Sequence, residues 1–470
     1  MNDTVSDVVI IGGGLAGLVA GARASELGLA VTVLERGTDH NYPCNTRWSG
    51  GVIHIAYTDI TSSPEILRSA IQRDTHSKAE ASQIHAVSAN GARFIDWLRG
   101  QGSTFVRTEV DWQQLILEPM RDLRAGLDWE NRGPDQLLAR LTATIKRNGG
   151  EVVLGARGRS LVMKGDRCTG VEATVNGAQR TFLANAVVLA DGGFQGNLER
   201  LAKHVTSRSD SIKQRGAATG IGDGLTMAEA VGASVTDLDK FYGHLLSRDA
   251  FGNDNVWPYP EVDAMACAGI LVDSNGYRFT DEGLGGIAAA NALSRSDDPL
   301  GATAIFDAAI WNGPGRSARI PANPTLVDAG GTVLTADSIE ELALLAELPP
   351  SGLVASVASY NRALEIDALT KLSPERTDPK HVAMPIASPP FHAIPVCAGI
   401  TYTMGGIHID GNSRVLRSNA SAIEGLYAAG ASTGGLEGGG NVAYIGGLAK
   451  AGIQGLIAAE TIARSRGVSV

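Results

Sequence analysis

The chain opens on a short apolar run, residues 7–11 (DVVII), followed by a stretch, 15–28, of small and apolar residues recurring at helical spacing. A second apolar run, 30–34 (AVTVL), ends at Glu35. Short apolar runs read as buried strands and a 3.6-residue period reads as helix, so this segment predicts a βαβ unit. Helical patterns return within 64–99 (EILRSAIQRDT, ASQIHAVSANGARFIDWL) and at 134–147 (PDQLLARLTATIKR), where proline takes a favoured N-terminal position. Strand-like runs follow at 151–154, 160–163, 169–175 and 186–190. Between 240 and 390 the texture changes to prolines and polar turns around one αα stretch, 337–366, whose amphipathic faces predict packing within a cap. After 395 glycine-punctuated apolar runs resume, with GLYAAG as strand plus turn and 441–464 as a closing helix. The fold class predicted is α/β: a discontinuous Rossmann-like domain, 1–238 and 393–470, with an inserted α+β cap (substrate) domain, 239–392.

Composition sharpens this picture at glycine, 58 of 470 residues, roughly 12% against an average near 7%. The glycines gather in loops between apolar runs, where backbone must approach something closely, so several loops converge on one ligand. A net charge of −10 offers no basic surface for a phosphate backbone, which argues against nucleic acid as a partner. No run of about 20 apolar residues is present, so no membrane span is expected. The start, MNDTVSDVVIIGGG, has neither a basic n-region nor a cleavage pattern, and the expected location is the cytoplasm. Cys44, Cys168, Cys267 and Cys397 form no CxxC or CxxCH, so no metal site, disulfide scaffold or attached haem is signalled.

Gly12-x-Gly14-x-x-Gly17 stands between the first strand and its helix, and Glu35 closes the next strand 18 residues beyond Gly17. The first glycine allows the tight turn, the second lets backbone approach a pyrophosphate, and the third packs helix on strand. Glu35 can accept from a ribose hydroxyl, and the helix N-terminus attracts the phosphates. The spacing predicts a dinucleotide and does not separate FAD from NAD.

Five further segments occur in order: CNTRWSGG (44–51), VVLADGGFQGN (187–197), AATGIGDG (217–224), YTMGGIHID (402–410) and GLYAAGASTGG (425–435). Together they resemble, over nearly the whole chain, the fumarate reductase and succinate dehydrogenase flavoprotein family, in its soluble branch with 3-ketosteroid dehydrogenases, urocanate reductase and tricarballylate dehydrogenase. The resemblance implies a Rossmann-like FAD-binding domain with the flavin held between it and the cap. By motif it implies Gly12, Gly14, Ala16 and Gly17 at the pyrophosphate, and Glu35 and Arg36 at the adenosine ribose. Asn45, Thr46, Ser49, Gly50 and Gly51 would line the flavin. Gly193 and Asp223 would lie near the adenosine side, and Gly158, Ala190, Gly192, Gly430, Asn441, Ala443 and Ile445 are expected among the other cofactor-binding residues. Gly438 to Asn441 would begin the last helix. Ala431 stands where the family often has Glu, and the segment 44–49 lacks the His that carries covalent flavin in some members, so FAD is expected to be non-covalent.

In this family an arginine shortly after RFxNE acts as the acid. Here Arg278-Phe279-Thr280-Asp281-Glu282 is followed by Gly283-Leu284-Gly285-Gly286, the relay arginine's place falls near Met265, and GLEGGGNVAYIGG lacks the substrate arginine. Two carboxylates in a dry pocket need paired cations, so a dicarboxylate such as fumarate is disfavoured. Tyr402, before TMGG, His244, in KFYGHL, and Tyr444 are the candidate catalytic residues, and Glu437 is expected as a solvated charge at the rim. Tyr402 can donate to a carbonyl oxygen, or act as base if its pKa is lowered. The leading reading is an FAD-dependent oxidoreductase acting on CH–CH or C=C bonds beside a carbonyl or carboxylate of a small organic substrate, with a separate electron acceptor or donor. A flavin monooxygenase or oxidase, and a non-catalytic FAD-binding redox protein, are the alternatives. Monomer and homodimer both stay open.

Overall fold

The computed structural model describes residues 4–110, 113–377 and 381–470. The opening apolar run forms the strand Thr4–Ile11, the helix Leu15–Glu26 follows, and the strand Val31–Leu34 returns parallel, pairing Val8 with Val31 and Ile10 with Val33. On its other side Thr4–Ile11 pairs in parallel with Ala178–Leu189, placing Ile10 beside Val188. This sheet of eight strands continues through Arg167–Val175, Ala422–Ala428 and Arg414–Leu416 at one edge and ends at Glu151–Val153 on the other. The return of Ala422–Ala428, after a long excursion, beside Ala178–Leu189 makes this layer discontinuous in sequence.

Two glycines fix the first turn. Gly12 has φ +108, and a Cβ there would lie 2.4 Å from Ala190 O; one at Gly17 would lie 2.0 Å from Gly12 O. Any side chain would push the helix off the strand. The closing helix is Gly447–Ser465, packed along Leu15–Glu26, and starts later than the glycine pattern predicts. Residues 438–443 instead turn back on themselves, bridging Gly438 to Ala443, so Gly438 to Asn441 do not begin the helix.

A second sheet of six strands has Phe241–Ser247, Phe391–Thr403, Thr303–Asp307 and Ile270–Val272 in that order, with Leu334–Ala336 and Lys213–Gln214 also on Phe391–Thr403. The helix pair is Ile339–Leu345 and Pro350–Glu365. The boundary expected at 392/393 falls inside the strand Phe391–Thr403. One apolar cluster runs from Val9 and Leu189 of the first sheet to Phe241, Ile394 and Ile400 of the second, and on to Tyr360 of the helix Pro350–Glu365, so the two layers share a core. Among the described residues no helix is long and apolar enough to cross a membrane.

Candidate active site

The groove at the carboxyl ends of the first sheet's parallel strands is lined by the glycine turn, Glu35, the loop 43–49, Gly158, Ala190 to Gly192, Asp223, Gly430 and the start of the closing helix. That is where open parallel sheets bind ligands. Glu35 accepts from Gly13 N through Oε2 and from Gly37 N through Oε1, both at 2.7 Å, which fixes the carboxylate with lone pairs to spare. Thr46 Oγ1 accepts from Leu15 N at 3.1 Å, and Asn45 ties Thr401 O to Ala217 N, at 2.9 and 2.7 Å. Arg36 donates to Thr219 O at 2.9 Å, and Asp223 receives Arg157 at 2.6 and 2.8 Å. Asp191 accepts from Gly224 N, yet burial, and less strongly the Asp223 charge, pushes its carboxyl up to about 6.

Gly12, Gly14, Ala16, Glu35, Arg36, Asn45, Thr46, Ser49, Gly158, Ala190, Gly192, Asp223 and Gly430 thus face one groove. Gly17 lies beneath the turn, Gly51 against Pro134 and Gly193 against Thr403, while a Cβ at Gly50 would stand 3.6 Å from the Tyr259 hydroxyl. Asn441 and Ala443 line a different cavity, and Ile445 donates its N–H to Glu437 at 3.1 Å.

That second cavity, of about 960 Å³, shares Tyr444 with the groove and is lined by His244, Asp263, Leu284, Gly286 and Tyr57. Tyr444 stacks on Tyr242 with centroids 3.9 Å apart and planes at 10°, and His54 and Tyr57 close over it at 5.5 and 6.1 Å. The Tyr444 hydroxyl accepts from Gly447 N at 3.0 Å, and burial raises its phenol above the ordinary value. His54 is pushed down to about 4 by burial, which keeps this imidazole neutral at physiological pH.

Tyr402 is tied into the groove wall by a buried carboxylate. It lines the groove and not the second cavity, and its hydroxyl donates to Glu437 at 2.9 and 3.1 Å. Burial first, then the Glu437 charge, holds the phenol well above its ordinary value, so the lowering that would leave a standing phenolate there is absent. Glu437 is no rim charge: it is 3% exposed and also takes Lys450 Nζ at 3.1 Å. A charge enters a dry interior only with such partners. Lys450 interrupts the apolar run GLAKAGIQGLIAA, and that lone charge on a buried helix was the available signal for the pair.

Tyr242, two residues before His244 on one strand, was also legible, because residues i and i+2 share a face. His244 Nε2 meets Tyr242 Oη at 3.0 Å, and its Nδ1 meets Asp263 Oδ2 at 2.5 Å. A Cβ at Gly286 would fall 1.9 Å from Asp263 Cγ, so the glycine pair that replaces the family's arginine region leaves room for this carboxylate. Arg278 is consumed by the buried Glu282, at 3.0 and 2.5 Å, and Glu282 also accepts from Leu271 N at 3.0 Å, so the retained RFxDE segment braces the second sheet.

The model of the FAD-binding domain matches residues 7–442. The chain belongs to that FAD-binding family. The flavoprotein is 28% identical over 452 residues to fumarate reductase (cytochrome) of Shewanella frigidimarina, covering 93% of this chain and 73% of the relative. It is 27% identical over 357 residues to 4-oxocyclohexanecarboxylate 2-dehydrogenase of Sinomonas cyclohexanicum, covering 69% of this chain and 60% of that one. Its fold is that of 3-ketosteroid Δ1-dehydrogenase from Sterolibacterium denitrificans, solved with 1,4-androstadiene-3,17-dione: TM-score 0.74, 20% identity, 98% of this chain and all of that one covered. The groove's own chemistry fits FAD, since Gln195 Oε1, buried on its wall, has no hydrogen-bond partner there.

Proposed function

We infer that the flavoprotein is an FAD-dependent oxidoreductase that interconverts CH–CH and C=C beside a carbonyl in a small organic substrate. The observation that carries this reading is the meeting of the FAD groove and the second cavity at Tyr444. FAD, when bound, supplies the two-electron acceptor or donor for hydride exchange with the substrate's β-carbon. The fingerprint glycines, Glu35 and the loop 43–49 hold it. Burial pushes the Cys44 thiol up to about 11, so this groove residue stays a protonated, unreactive thiol and the cofactor is held non-covalently.

Tyr444 is the group that meets the substrate carbonyl. Its oxygen takes the Gly447 N–H and lies in hydrogen-bond reach of the Tyr242 hydroxyl, and from there it can donate to an enolate oxygen as charge develops. Tyr57 and His54 pack around it. Tyr402 supports the groove floor through Glu437 and Lys450. Arg73, which lines the second cavity, is engaged by Asp74 at 2.8 Å. The substrate is therefore a neutral or mono-anionic ketone, cyclic in the cases best matched to stacked aromatic walls. One relative, named for a cyclic keto acid, supports this, while others are named for fumarate. A separate donor or acceptor exchanges electrons with the flavin.

The test is anaerobic bleaching of the oxidised protein, followed at about 450 nm, against cyclohexanone, 4-oxocyclohexanecarboxylate, succinate and tricarballylate. Bleaching by a ketone is expected. Bleaching by succinate alone, or by none of them with no reoxidation of the reduced protein by the matching enones, overturns the reading.

A further inference from the structure

The family's acid position after RFxNE is filled here by Gly285 and Gly286, so the proton that leaves or enters the α-carbon needs another carrier. We propose that Asp263, His244 and Tyr242 form a proton relay whose outer end, the Tyr242 hydroxyl, exchanges the substrate's α-proton. This rests on the reading above and adds to it the residue that moves the proton.

Four observations carry it. The chain of contacts is continuous: Leu245 N donates to Asp263 Oδ1 at 2.8 Å, Asp263 Oδ2 meets His244 Nδ1 at 2.5 Å, and His244 Nε2 meets Tyr242 Oη at 3.0 Å. A carboxylate on Nδ1 fixes the tautomer in which Nε2 accepts, the arrangement by which a buried carboxylate orients a histidine toward a hydroxyl. Second, Tyr242 lines the FAD groove and its ring is clamped face to face on Tyr444, so its hydroxyl is held beside the group that receives the carbonyl. Third, Gly286 is the residue that admits the Asp263 carboxylate, as any Cβ there would overlap it. Fourth, Arg215 forms a short ion pair with Glu261, whose Oε1 lies 3.5 Å from His244 Nε2. With Glu261 so neutralised, Asp263 is the net negative charge that stabilises an imidazolium. His244, Glu261 and Asp263 bring ligand atoms within 4.8 Å of one another, yet the Arg215 guanidinium already supplies the cation there.

The step balances. In dehydrogenation the Cα–H bond breaks, its proton joins Tyr242 Oη, and the phenol's own proton passes to His244 Nε2. The electron pair left on Cα becomes the C=C bond as a hydride leaves the neighbouring carbon for the acceptor already named. The imidazolium then returns its proton to solvent through the second cavity, which His244 and Asp263 line. Because burial disfavours a standing phenolate at Tyr242, the hydroxyl takes one proton while giving up another.

Proton exchange can be read apart from hydride transfer. Holoenzyme with its flavin chemically reduced, in D2O, is incubated with cyclohexanone and with 4-oxocyclohexanecarboxylate, and deuterium at the α-carbon is followed by NMR. The wild type is expected to exchange. Tyr242→Phe is expected to slow exchange at least about a hundredfold while retaining flavin. His244→Gly is expected to slow it similarly, with recovery on adding imidazole, which a merely structural role would not give. Exchange in Tyr242→Phe within threefold of wild type overturns the relay and leaves the functional reading intact. So does absence of wild-type exchange with a ketone that bleaches the oxidised flavin. Neither exchange nor bleaching with any ketone overturns both. Should Tyr242→Phe fail to hold flavin, the histidine variant with and without imidazole decides.

Discussion

Lys450→Met isolates the value of the buried pair beneath the groove. Lys450 and Glu437 are 1% and 3% exposed, and Nζ gives one hydrogen bond to Glu437 at 3.1 Å and one to Thr433 O at 2.9 Å. Methionine keeps the length of the side chain but removes the only cation bonded to Glu437 among the described residues, leaving the carboxylate with the neutral donors Tyr402 and Ile445. Removing one member of a buried ion pair costs about 3–5 kcal/mol, because the other charge stays desolvated. An unfolding entropy near 2.1 cal/mol/K per residue gives about 1 kcal/mol/K for a chain of this length, so the melting temperature should fall by roughly 3–5 °C. The assay is thermal unfolding of the holoprotein, read by flavin fluorescence on release and by circular dichroism. Adding Glu437→Gln to Lys450→Met removes the stranded charge while keeping an acceptor for both remaining donors, and should recover at least half of the loss. A Lys450→Met protein melting within about 1 °C of wild type, or a double variant less stable than the single one, would refute the argument.

Two further outcomes follow from the same geometry. Tyr402→Phe takes a donor from Glu437 without touching the second cavity, so flavin reduction by substrate should change less than about tenfold while the protein loses about 1–2 kcal/mol; a hundredfold kinetic loss would return Tyr402 to proton transfer. Asp191, raised to about 6 from 3.8, binds its proton more tightly folded than unfolded, so its contribution is present below 3.8 and lost as pH rises through about 6. Asp191→Asn should therefore match wild type at about pH 3 and exceed it by about 1–3 kcal/mol at about pH 7.5 in urea unfolding, and a difference that does not change with pH would count against the raised carboxyl.

What the sequence made legible was local. The strand, glycine turn, helix and Glu35 lie within 35 residues, and each follows from a short-range rule about spacing or φ. Residues whose role depends on contacts made by folding were harder. Tyr402 meets Glu437 across 35 positions and His244 meets Asp263 across 19, and no periodicity encodes either distance. The displacement of Asn441 and Ala443 from the groove has a definite cause: the glycines of 438–440 and the Gly446 φ of +126 let the chain turn out and back before the helix starts at Gly447. A glycine cluster signals close approach or sharp reversal alike, and only the surrounding fold decides between them.

The strand Phe391–Thr403 carries a consequence for anyone redesigning the specificity of this protein. Its first residues pair with Thr303–Asp307 of the second sheet, while Thr401 receives Asn45 and Thr403 Oγ1 receives Phe194 N at the groove. A replacement cap spliced in at the apparent boundary would thus be joined in the middle of a pleated segment, not at a linker. Adding or deleting a single residue there would turn every later side chain to the opposite face, carrying Tyr402 away from Glu437 and bringing its neighbours into the groove. Cap grafts should keep the parity of this strand, and libraries that vary loop length belong at the cap's other connections.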